Sequence, residues 1–289
     1  MQTDALSKDL AACGSPETLL AAILKHHPDL QVPVQVEMVA LRVGIVEFRV
    51  SEIEGVTSAL STDIGKTTGI ILCAAGLSAQ RRRFAIAHQL GHFLLAAQRG
   101  DRQCSARDLG ENRRDTPHRK EEMQANRFAA GLLMPKPSFV SFLAGLGKPN
   151  VAHLPTIATT YDVTLEAAAS RYADLTQATC ALIFVKAGVV RFARPSRSFP
   201  PLSIRPGDPT AIPSVKAKEK PVWMPAEIRD WIVTSREARP PKLMMQVLGK
   251  DAGVQLVMLF VNGAAERRAD EEAEKFATER PKFGDGRRG

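Results

Sequence analysis

Two histidines, His88 and His92, stand four residues apart in residues 81–98, RRRFAIAHQLGHFLLAAQ, a run without proline and with a single glycine. On a helix, positions i and i+4 lie on one face, one turn apart. Two imidazoles stacked in that way can grip one metal ion. The spacing is the frame of H-E-x-x-H, in which the histidines hold zinc and the glutamate takes a proton from metal-bound water. Here the five residues read His88-Gln89-Leu90-Gly91-His92, so an amide stands where the frame has its acid.

A catalytic zinc usually takes three protein ligands and keeps a fourth position for water. Glu122 is the best third ligand in this sequence, thirty residues beyond His92 and within a second helical pattern. Asn126 follows it at i+4, on the same face. A polar group there is suited to hydrogen-bond the far ring nitrogen of a ligating histidine and fix its tautomer. We expect Asn126 to do so, towards His88. Glu121 and Gln124 point elsewhere around that helix. The competing reading of an isolated H-x-x-x-H is a pair of core histidines satisfied by their neighbours; the Glu122/Asn126 face argues for the metal.

These residues need elements to hold them. Phe84 and Leu95 extend the face of His88 and His92, and apolar residues surround it, so the first helix is expected to be buried on most sides. Residues 16–27 read as a short amphipathic helix. Residues 34–50 are rich in Val, Leu, Ile and Phe with partial alternation, which fits two short strands. GIILCA, residues 69–74, reads as a third strand just upstream of the histidines, where a peptide could dock on a sheet edge. Residues 99–121 are dense in charge and broken by Gly100, Gly110 and Pro117, and read as a solvated loop. Helical periodicity resumes near Arg119 and runs to Pro135, with Ala125, Phe128, Leu132 and Leu133 inward.

Two short helical patterns fill residues 152–176, with Thr164 placed to cap the second. They resemble a helix-turn-helix, although the second carries Arg171 as its single base, and a helix that enters a DNA groove usually shows more positive charge. From Thr179 the period shifts to two: TCALIFVK, GVVRFARP, KLMMQVLG and GVQLVMLFV read as strands, with a proline-rich loop and a short helix around AEIRDWIV between them. Residues 263–289 are charged and read as a frayed or disordered tail.

Composition narrows the class. At 289 residues the chain has room for two or three domains, and 44% apolar residues fit a soluble globular protein. The net charge of +8 is scattered rather than blocked, so it says little about nucleic acid. Cys13, Cys73, Cys104 and Cys180 show no metal-site or paired spacing and read as ordinary reduced thiols. The N-terminal MQTDALSKDL lacks a basic stretch leading into an apolar core, and no apolar run approaches the ~20 residues of a membrane span, so the cytoplasm is the expected location.

The segments RRRFAIAHQLGHFLL and EMQANRFAAGLLMP resemble the ImmA/IrrE-type metallopeptidases, whose pattern is R-F-x-x-A-H-E-x-x-H-x-L-L followed by E-x-x-x-N-x-x-A-A-x-L-L-M-P. The resemblance is strong over residues 35–145. It implies an α+β chain: a zincin-like metallopeptidase domain over 1–150, a helix-turn-helix-like unit over 151–178, a GAF-like sensory domain over 179–262, and the tail. It implies a zinc-dependent protease, or one using manganese or another divalent ion, that cuts a helix-turn-helix repressor of the XRE type and so releases stress-response or mobile-element genes. By position the metal ligands are His88, His92 and Glu122, and Gln89 occupies the place of the general base.

That departure bears on turnover. A carboxamide holds water by hydrogen bonds but accepts no proton at neutral pH. General base catalysis contributes roughly 10²–10⁴-fold, so the expected loss is at least of that order, while metal binding survives. A natural pseudo-protease that binds its repressor and a deliberately inactivated protease fit equally. The alternative class is a sensory or DNA-binding regulator in which the metal fold is only a scaffold; in either class the GAF-like domain is a candidate to hold a small molecule, beside a purely structural role.

Overall fold

The structure is a computed structural model. It describes residues 2–261 apart from residues 53, 96–97, 99, 111–114, 214, 217–218, 234–241 and 251–252. The chain divides into two compact units, Met1–Gly147 with His153–Tyr172, and Lys148–Ala152 with Ala173–Gly289. The charged tail lies outside the described residues.

The first unit begins with helices α1 (Gln2–Ala11), α2 (Pro16–His26) and α3 (Val36–Arg42). Ser15 caps α2 with its side chain, and Pro16 opens the helix where a missing N–H costs nothing. Strands β1 (Ile45–Ser51), β2 (Ser58–Thr62) and β3 (Gly69–Ala74) follow, then α4 (Ala79–Leu94), β4 (Arg102–Cys104), a short 3-10 turn at Asp108–Gly110, α5 (Pro117–Leu133), α6 (Lys136–Leu146), α7 (His153–Tyr161) and α8 (Leu165–Leu175). The sheet runs β1-β3-β2-β4. Strand β1 is parallel to β3, and β2 is antiparallel to both β3 and β4.

Two expectations need correction here, and one strand stands where none was expected. Residues 34–50 form one helix and one strand, not two strands. Val36, Val39 and Ala40 are buried at helical spacing, and Gly44, with φ of +116, turns the chain into β1. Strand β2 escaped detection because SALST is polar and half of it faces outward. The charge-rich stretch after Gln98 is not all loop. It contains β4, and α5 starts at Pro117, capped by Thr116, whose hydroxyl accepts from the N–H of Arg119 at 3.2 Å. Pro117 is therefore the first residue of a helix rather than a break.

Helices α4 and α5 form the centre of the unit. Residues Ala85 to Phe93 of α4 are all buried, as are Ala125, Phe128, Leu132 and Leu133 of α5. Helices α7 and α8 belong to the same packing up to Tyr172. Tyr161 stacks on Phe139 at 5.2 Å and Phe142 at 5.7 Å between ring centres. The turn between them is Asp162, with φ of +49, whose carboxylate meets Arg83 at 3.1 Å and Gln80 at 2.8 Å. Thr164 accepts from the N–H of Ala167 at 3.2 Å and caps α8.

The second unit is mainly β. Strands β5 (Cys180–Lys186), β6 (Val189–Pro195), β7 (Met224–Pro225), β8 (Leu243–Gly249) and β9 (Val254–Val261) form an antiparallel sheet in the order β6-β5-β9-β8-β7, with one short helix, α9 (Ile228–Trp231). Trp231, Ile232 and Phe199 pack with Ala181, Ile183, Val257 and Leu259 on one face. Among the described residues, no single helix is long and apolar enough to cross a membrane.

Candidate metal centre

Ser78 caps α4 and starts a helix whose third and fourth turns carry His88 and His92 inward. Both side chains are fully buried. Helix α5 comes close against them because the residue just before His92 is Gly91. A Cβ there would stand 3.2 Å from the Cα of Ala125 and 3.2 Å from the Phe128 ring. Glycine thus allows the approach that brings Glu122 to the pair. Its Oε2 lies 3.1 Å from His88 Nε2, its Oε1 lies 3.4 Å from His92 Nε2, and the two Nε2 atoms are 3.0 Å apart.

Hydrogen bonds at the outer nitrogens decide which nitrogens carry protons. His88 Nδ1 meets Asn126 Oδ1 at 2.8 Å. The other end of that amide donates to the main-chain carbonyl of Asp108 at 2.9 Å, which fixes its orientation, so the oxygen faces the ring. His92 Nδ1 meets Gln98 Oε1 at 2.5 Å, and the Gln98 amide nitrogen donates to Gln124 Oε1 at 3.1 Å. Both histidines therefore donate from Nδ1 and turn Nε2 lone pairs towards Glu122 and each other.

Charge follows from this geometry. Burial opposes ionisation of Glu122; without an ion, protons on the facing nitrogens of His88 and then His92 outweigh it and hold the carboxyl far below the ordinary range, and a bound cation takes the place of those protons. Burial likewise depresses His88 and keeps it neutral, against the pull of Glu122. Two neutral imidazoles and a carboxylate, with lone pairs converging within hydrogen-bond distance, fit a cation better than they fit one another. Tetrahedral zinc, with Zn–N and Zn–O near 2.0–2.2 Å, sets its N and O ligands about 3.3–3.5 Å apart, and the separations of 3.0, 3.1 and 3.4 Å in this cluster come within a few tenths of an ångström of that set.

Four buried residues meet at this point, not three. Cys104, on β4, lies 3.7 Å from His92 Nε2 and 4.0 Å from Glu122 Oε1, and the donor atoms of His88, His92, Cys104 and Glu122 all fall within 4.8 Å of one another. Sequence spacing gave no hint of Cys104, since its place depends on pairing with β2, where it stands opposite Ser58. Ser58 is fully buried and accepts from the Gln89 amide nitrogen at 2.9 Å. The Gln89 carbonyl oxygen is also buried, and finds no partner among the described residues. Burial, and then the Glu122 charge, push the Cys104 thiol up, while the Gln89 amide pulls it down.

Gln98 and Lys66 were also missed. The Lys66 ammonium donates to the carbonyls of His92, Leu95 and Gln98 at 2.8, 3.2 and 2.6 Å and closes the end of α4. Glu121 turns away, to Arg102 at 2.8 Å. Half-exposed His118 sits at the rim, 3.8 Å from Glu122 Oε1.

Residues 42–172 match a peptidase family model described as an IrrE N-terminal-like domain. Among solved structures, a Mycobacterium tuberculosis transcriptional regulator is similar, with a TM-score of 0.52 at 14% identity, covering 92% of this chain and 94% of that one. At that identity the likeness speaks for the fold. A search of the curated proteins finds no match.

Proposed function

We propose that this chain, whose residues 42–172 are an IrrE N-terminal-like domain, is a zinc-binding regulator that recognises a helix-turn-helix repressor of the XRE type and cuts it weakly or not at all. The observation that carries the reading is the meeting of His88, His92 and Glu122 with both histidine tautomers set outward, beside a glutamine at the base position.

His88, His92 and Glu122 would hold the ion. When bound, zinc would polarise a carbonyl and acidify a water molecule. The residues around it do the rest. Asn126 and Gln98 aim the two imidazoles, and Lys66 pins the turn from which His92 projects. Gln89 is tied to Ser58 and presents an amide, which takes up no proton at neutral pH. Loss of that step alone costs roughly 10²–10⁴-fold, so recognition without efficient hydrolysis is the expected behaviour.

Direct contact with DNA through α8 has less support. Its one basic residue, Arg171, gives its guanidinium to the Met134 carbonyl at 3.0 and 2.7 Å. Sensing of the inducing signal is assigned to the second unit on domain order alone, and the cytoplasm, where such repressors work, is the proposed location.

The test is titration of the purified zinc-loaded chain against a candidate XRE-type repressor and, separately, against duplex DNA. Saturable repressor binding with little cleavage is expected. Binding to DNA with a steep salt dependence, and none to the repressor, would overturn the reading.

A further inference from the structure

We propose that Cys104 is a fourth protein ligand and closes the centre against water, making it a His88–His92–Glu122–Cys104 site. The inference deepens the metal-centre reading above and depends on it.

Position comes first. For tetrahedral zinc with Zn–S near 2.3 Å, sulfur stands about 3.5–3.7 Å from nitrogen and oxygen ligands. Cys104 Sγ is 3.7 Å from His92 Nε2 and 4.0 Å from Glu122 Oε1. The residue is 1% exposed, so its sulfur is aimed into the cluster and not at solvent. Backbone pairing locks it there: Cys104 stands opposite Ser58, and its carbonyl accepts from the N–H of Thr57 at 2.8 Å.

Chemistry points the same way. Three protein ligands and a water make a hydrolytic zinc site, whereas four protein ligands make a structural one, and thiolate is a favoured donor for zinc. On coordination the Cys104 thiol gives its proton to solvent, the metal–sulfur bond forms, and any water in that place leaves.

Gln89 completes the case. Its amide donates to the Ser58 hydroxyl at 2.9 Å, and Ser58 is the residue that stands opposite Cys104 on the neighbouring strand. An acid at position 89 would set a second buried negative charge beside a thiolate at Cys104, whereas an amide adds none. With no water to deprotonate, a base at position 89 has no task. The glutamine and the cysteine therefore read as a matched pair, which accounts for both departures from a hydrolytic site together.

The experiment uses the full chain, stripped of metal and given one equivalent of Co(II). The wild type is expected to bind it and to show a thiolate-to-cobalt charge-transfer band in the near ultraviolet. Cys104→Ser should bind cobalt without that band and should retain zinc at least about tenfold less well. Cys180→Ser should keep the band. Cobalt bound by the wild type without the band, or a band that survives Cys104→Ser, overturns the proposal while leaving the metal centre standing. Failure of the wild type to bind any stoichiometric metal overturns the centre itself and the proposal with it. The wild-type spectrum decides the matter even if Cys104→Ser does not fold.

Discussion

Lys66 Nζ lies 2.8 Å from the main-chain carbonyl oxygen of His92, although the two residues are 26 positions apart. Lys66 itself holds a left-handed conformation, φ of +51, in the turn between β2 and β3. From there its charge meets the carbonyls of His92, Leu95 and Gln98, at and just beyond the end of α4, where the helix dipole also favours a cation. Lys66→Met should lower the stability of the metal-free chain by about 1.5–3 kcal/mol, the usual worth of a hydrogen bond to a charged group. It should also speed zinc loss, because His92 and Gln98 share that turn. Chemical denaturation and transfer of zinc to a chelator measure the two effects.

Asn126 is expected to act through His88. Asn126→Leu should weaken zinc binding roughly 10–100-fold, while Asn126→Asp, which still accepts from Nδ1, should keep most of it. Competition with a coloured chelator reads both. Equal losses in the two variants would mean that packing, and not the hydrogen bond, matters at this position.

Restoring the acid alone should do little for hydrolysis while the Cys104 sulfur fills the place of water. Gln89→Glu combined with Cys104→Ala should raise cleavage of an XRE-type repressor well above either single variant, by roughly 10²–10⁴-fold over the parent. Initial cleavage rates of the four proteins, each loaded with one zinc, form the comparison.

The turn that carries Lys66 gives a pH prediction. The Thr67 hydroxyl and then the Thr68 N–H hold the Asp63 carboxyl below its ordinary value of 3.8. A depressed acid contributes stability that is present above the unfolded value and fades as pH falls through the folded one. The metal-free wild type should thus lose an advantage over Asp63→Asn as pH drops below 3.8. Thermal unfolding of both proteins across that range measures it.

Thiol reactivity should divide the cysteines. Burial pushes Cys73 up to about 11 and Cys180 up to about 12, so both should resist alkylation in the folded chain. Half-buried Cys13 should label first. Mass spectrometry after brief alkylation, with and without denaturant, locates the modified residues.

Much of the site was legible before any coordinates. The faces that pair His88 with His92, and Glu122 with Asn126, follow from helical periodicity, and each such pair lies within one turn of one helix. The long strands β5, β6, β8 and β9 announced themselves by a shift to a period of two. Where two periods abutted, as around Gly44, the reading failed, because a short helix and a short strand of the same apolar residues look alike. Sequence by itself thus determined which side chains share a helical face and that an amide replaces the acid at position 89. Tertiary structure alone decided that Cys104 joins the cluster, that Ser58 holds Gln89, and that Gln98 and Lys66 brace His92. Those contacts depend on strand register and on main-chain groups brought together from distant positions, and neither leaves a local pattern of residue types.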